Sequence, residues 1–81
     1  MQGFLEFVVK GLVDYPESVQ ITPTDKNGLT VYELRLAPDD VGKVIGRKGN
    51  TINALRSLLQ LGAARQGQRC TVDIVEEDDG F

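Results

Sequence analysis

Two runs of helical apolar spacing, Val41-Val44-Ile45 and Ile52-Leu55-Leu58-Leu59-Ala63, are separated by only Gly46-Arg47-Lys48-Gly49 and the two residues that follow. Helices joined this tightly must turn a sharp corner, so the segment commits the chain to a packed helix pair. The first run opens on Pro38-Asp39-Asp40, where proline sets φ and carboxylates favour the positive end of a helix dipole. It stops on Gly46, and Asn50 is the expected cap of the second run, whose end Gly62 and Gly67 bracket.

Strands flank the pair. Leu29 to Leu36 alternates, with Tyr32, Leu34 and Leu36 on one face and Val31, Glu33 and Arg35 on the other. Cys70 to Val75 alternates in the same way. Upstream, Val19 to Thr22 reads as a short strand that lies at an edge or ends at Pro23, because proline offers no ladder donor. Asn27-Gly28 supplies a hairpin turn into Leu29. Phe4, Phe7, Val8, Gly11, Leu12 and Tyr15, with Leu5, mark one face of an N-terminal helix that Pro16 ends. The expected fold class is α+β, in the order helix, strand, strand, helix, helix, strand. Residues 1–75 form one domain, and 76–81 form an acidic, mobile tail.

Composition narrows the function. Eighty-one residues hold one domain with a thin core. The absence of histidine removes the usual general base and the commonest zinc ligand. One cysteine forms no internal disulfide, which fits a cytoplasmic protein, and Cys70 reads as a small buried apolar residue. No nucleotide-binding glycine motif, membrane span or secretory signal is evident, and no cofactor or metal site is expected. The adjacent Asp39-Asp40 is better explained by the helix start than by catalysis.

The net charge of −3 hides a segregation. From Val41 to Arg69 there are six basic residues (Lys43, Arg47, Lys48, Arg56, Arg65 and Arg69) and no acidic one. From Asp73 to Asp79 there are five acidic residues and no basic one. Polyanion binding follows local potential rather than total charge. At the corner between the helices, flanking glycines admit a sugar-phosphate backbone close to the peptide. Arg47 and Lys48 supply cations, and the second helix aims its first amides at the same space.

Val44-Ile45-Gly46-Arg47-Lys48-Gly49 resembles the V-I-G-x-x-G signature of KH domains, whose loop clamps about four nucleotides of single strand. The likeness covers roughly residues 4 to 75, in the type II element order. The stretch from Leu34 to Gly49 resembles most the small bacterial single-KH proteins of the KhpA family. The resemblance implies a three-stranded mixed sheet with Leu29–Leu36 in the middle and helices packed on one face. It also implies single-stranded RNA as the partner, in the role of a post-transcriptional chaperone or regulator. By the same resemblance Gly46 and Gly49 allow close approach, and Arg47 and Lys48 meet phosphates. Val41, Val44, Ile45 and Ile52 would line a base groove, with Lys43 and Arg56 at its rim. A homodimer or other pairing is a further expectation, because Leu58, Leu61 and Ala54 widen the apolar arc of the second helix, and the resemblance implies self-pairing or a second KH-containing protein as that partner. The alternatives are a KH-like adaptor for protein partners and a binder of single-stranded DNA.

Overall fold

The computed structural model describes residues 2–75; the acidic segment 76–81 lies outside the described residues. Helix α1 (Gln2–Leu12) leads to strands β1 (Gln20–Lys26) and β2 (Leu29–Arg35). Helices α2 (Val41–Ile45) and α3 (Asn50–Ala64) follow, and strand β3 (Cys70–Ile74) closes the fold. The sheet order is β1-β2-β3, antiparallel between β1 and β2 and parallel between β2 and β3. A parallel neighbour needs a crossover, and α2 with α3 provides it.

The hairpin forms where Asn27 and Gly28 both adopt positive φ, 55° and 86°. That is the geometry of a two-residue loop matched to strand twist. Gly28 N donates to Asp25 Oδ1 at 3.2 Å, reinforcing the turn. Strand β1 continues through Pro23, which stands opposite Tyr32, to Lys26. Of the two expected outcomes the edge position holds: β1 is an edge strand, where a proline nitrogen can face away from the ladder, and the strand runs past Thr22 to Lys26.

The core lies between one sheet face and the helices. Leu34, Cys70 and Val72 meet Leu5, Val9, Val44, Ile52, Leu55, Leu59 and Ala63 there. Full burial of side chains such as Leu5, Leu34 and Leu59 stabilises the fold by about 1.5–3 kcal/mol each. Cys70 is buried, its Sγ 3.4 Å from Leu59 O, and burial pushes the thiol pKa up.

Helix α1 differs from its sequence reading. Leu5 and Val9 are buried, with Val8 partly so, whereas Phe7 is 80% exposed and Phe4, Leu12 and Tyr15 are also exposed. The helix is apolar around much of its circumference, so two overlapping stripes compete, and packing selects the Leu5–Val9 stripe.

The turn after α1 is held from a distance. Asp40 is completely buried and accepts the amides of Asp14 at 3.1 Å and Tyr15 at 2.9 Å. It makes no side-chain cap on α2, so its position at the helix start serves long-range anchoring instead. Burial pushes its carboxyl pKa up, but the two amides and the Lys43 ammonium outweigh that and leave it below the usual aspartate value.

Candidate nucleic-acid interface

Helix α2 ends where Gly46 takes φ 77°, ψ 177°. This conformation is essentially confined to glycine. A Cβ on Gly46 would also collide with the Thr51 hydroxyl and lie 2.7 Å from Thr51 Cβ and 2.9 Å from its amide nitrogen. Gly46 is thus fixed by its own backbone and by the first turn of α3. Arg47–Gly49 form a single tight turn closed by Gly49 N donating to Gly46 O at 3.2 Å. Lys48 at φ 56° and Gly49 at φ 77° both occupy the left-handed region.

The cap of α3 is Gly49 rather than Asn50, which already has helical angles. Gly49 has no side chain to offer and no side-chain cap bond forms. Asn50 N–H bonds back to Arg47 O, and no side chain caps the helix start. Arg47 and Lys48 are exposed. Among the described residues neither forms an ion pair.

Of the four aliphatic candidates, Val44 is fully buried and Ile52 is only 6% exposed. Both are core, with little surface for a ligand, because they occupy the inward positions of α2 and α3. Val41 and Ile45 are half-buried and present apolar surface at the same corner.

The two rim candidates are engaged locally. Lys43 Nζ bonds to Asp14 Oδ2 and lies 3.3 Å from Asp40 Oδ1. The Asp14 bond, more than Asp40, holds its ammonium pKa above the usual lysine value. Arg56 Nε donates to Val72 O at 3.0 Å, and its guanidinium reaches Asn53 Oδ1 at 3.2 Å and Asp73 Oδ1 at 3.4 Å.

The Arg56 contact exposes a feature that side-chain patterning missed. Thr30 N donates to Arg69 O and Val75 N to Leu34 O, so odd-numbered residues of β3 bond to β2. Backbone groups of Cys70, Val72 and Ile74 consequently turn to the open edge, alongside α3. The edge position of β3 follows from the strand order that the family resemblance implied, with β2 in the middle, rather than from any local side-chain pattern.

A tight glycine turn with two cations that form no ion pair among the described residues, a helix start without a side-chain cap, a small aliphatic patch and an open strand edge now share one region of the fold. The model of the KhpA/KhpB KH domain matches residues 2–74. The chain belongs to the KhpA/KhpB KH-domain family. It is 43% identical over 77 residues to the RNA-binding protein KhpA of Chlamydia pneumoniae, covering 95% of this chain and 99% of that protein. The corresponding protein of Clostridium acetobutylicum is 36% identical over 75 residues, covering 93% and 100%. That of Leifsonia xyli subsp. xyli is 42% identical over 73 residues, covering 90% and 93%. No solved structure matches the chain.

The KH frame accounts for the short α2: five residues suffice to carry the chain from the end of the sheet to the glycine turn. Among the described residues no helix is long and apolar enough to cross a membrane, and no cluster of metal-ligating side chains is present.

Proposed function

We propose that this KH domain binds single-stranded RNA by seating phosphates on the Gly46–Gly49 turn and bases against Val41 and Ile45. The observation that carries the reading is the pairing of an α3 N-terminus that no side chain caps with the exposed Arg47 and Lys48, which form no ion pair among the described residues. Amides and cations converge there on a group of negative charge, and Gly46 and Gly49 keep the approach clear. The names of the relatives, RNA-binding protein KhpA, support the same ligand. The role is binding, not catalysis, and a cytoplasmic post-transcriptional chaperone or regulator is the setting it fits.

A single turn of this size contacts few phosphates, so affinity is expected on the order of micromolar and sensitive to salt. With three to five contacts, log K falls against log salt with a slope of roughly −2 to −4. Anisotropy titrations of a single-stranded RNA at several salt concentrations test this, and a flat response contradicts it.

Weak single-site affinity favours pairing. Leu58 and Leu61 are 51% and 64% exposed on α3, and Ala54 is exposed beside them, leaving the surplus apolar arc uncovered. Self-association, or pairing with a second KH-containing protein, through this face would raise avidity without a new RNA contact.

A further inference from the structure

The edge of β3 is not bare. Along this strand Val72 turns its side chain into the core and Asp73 is exposed on the other face. The backbone groups of Val72 face the edge, where β3 has no strand neighbour. Arg56 reaches that edge from α3. Its Nε donates to Val72 O at 3.0 Å, and its Nη2 continues past the strand to Asp73 Oδ1 at 3.4 Å. The guanidinium therefore stands across the edge, on the outward side of a carbonyl that would otherwise accept from a ligand.

The same side chain connects the edge to the glycine turn. Arg56 Nη1 donates to Asn53 Oδ1 at 3.2 Å, and Asn53 Nδ2 lies 3.6 Å from the position of a Cβ on Gly49. From Gly49 to Arg56 the chain advances about 10 Å along the helix axis. An RNA strand whose phosphates sit on the turn covers that distance within the roughly four nucleotides of a KH site. A base that reaches β3 from the turn meets Arg56 and Val72.

What these two residues offer is one-sided. The contacts to Val72, Asn53 and Asp73 use one N–H on each guanidinium nitrogen, so both terminal nitrogens keep a second N–H for a ligand. The Val72 N–H faces the same edge without a strand partner. The neighbouring acceptors Val72 O, Asn53 Oδ1 and Asp73 Oδ1 already take N–H groups of Arg56. An exocyclic amino group brought here faces donors and loses its hydrogen bonds to water, whereas a keto oxygen accepts from them.

We propose that Arg56 selects the bases of the bound RNA, making the β3 edge a donor face that takes the keto oxygens of guanine and uracil over the amino groups of adenine and cytosine. The inference rests on the reading of the Gly46–Gly49 turn as the phosphate site and names the bases that such a site admits. The Val72 O bond fixes the guanidinium, while the pair with the exposed Asp73 adds little and leaves it open to a base.

The test compares two fluorescent single-stranded RNAs of about 12 nucleotides, several times a KH footprint, by anisotropy. One alternates guanine and uracil, the other adenine and cytosine. Wild type should bind the keto strand at least about fivefold more tightly. Arg56→Met keeps the aliphatic stem, removes the donors and uncovers Val72 O, so the two affinities should come within about twofold. Arg56→Lys keeps the charge without the planar fork and should shrink the preference likewise, which loss of charge alone would not do. Circular dichroism checks that each variant folds, and Arg56→Lys decides the question if Arg56→Met does not. Equal affinities in wild type overturn the base selection. A preference that the folded Arg56 variants retain also overturns it, even where both strands bind more weakly, because that is the mark of a plain phosphate contact. The Arg47→Gln, Lys48→Gln variant should weaken both strands alike and keep their ratio. Full affinity in that variant overturns instead the phosphate reading of the turn, while the ratio still reports on Arg56.

Discussion

Asp40 accepts the backbone amide of Tyr15 at 2.9 Å from a carboxylate with no exposed surface. With the Asp14 amide and the Lys43 ammonium, that contact joins the end of the N-terminal helix to the start of α2, the helix that delivers the glycine turn. Asp40→Asn keeps the volume but loses an acceptor and the charge. The melting temperature is expected to fall by on the order of 10 °C, readable by circular dichroism. Because the folded pKa lies below the usual aspartate value, the stabilisation is full above that ordinary value and is lost as pH falls through the depressed folded value. The gap between wild type and variant should therefore close in strong acid. A gap that persists there would show that the carboxylate charge is not the source.

The two glycines of the turn should respond differently to alanine. At Gly46 both the backbone conformation and Thr51 oppose a Cβ. At Gly49 the nearest obstacle is Asn53 Nδ2 at 3.6 Å, ordinary contact, so only the left-handed φ matters. Gly46→Ala is expected to cost about 2–4 kcal/mol and Gly49→Ala about 1–2 kcal/mol in chemical denaturation. Equal costs would mean that Thr51 yields freely.

The exposed leucines of α3 make a third test. Leu58→Asp with Leu61→Asp removes apolar surface that the fold leaves in solvent, so stability should change by less than about 0.5 kcal/mol per site. Sedimentation should show a self-associating wild type and a monomeric variant, with RNA binding weakened but retained. A monomeric wild type at high concentration would remove self-association from the account.

How much of this was legible beforehand depends on the range of the interactions. The inward arc of α3, Ile52-Leu55-Leu59-Ala63, emerges as read, because a helix with one broad apolar stripe and a polar opposite side has one way to pack. The tight turn at Gly46–Gly49 was legible from glycine spacing and charge. The face of α1 was not, since its apolar residues surround the helix and periodicity alone cannot rank Phe4-Phe7 against Leu5-Val9. Nor was the division of the aliphatic residues, where Val44 and Ile52 enter the core and Val41 and Ile45 stay at the surface. The Asp40 anchor joins residues 25 and 26 positions apart, a separation at which no local pattern carries information. Pro23 limited β1 to an edge or an early end, and the edge position is the one found, with the strand continuing to Lys26.

The central claim is that Arg47 and Lys48 hold RNA phosphates. Its most direct measurement is the affinity of the Arg47→Asp, Lys48→Asp double variant for a mixed single-stranded RNA, alongside its melting temperature. Both side chains are exposed and unpaired among the described residues, so the melting temperature should stay within about 3 °C of wild type. RNA affinity should fall at least about tenfold, because two attractive charges become repulsive at the phosphate position. A folded double variant that binds RNA as tightly as wild type would contradict the account.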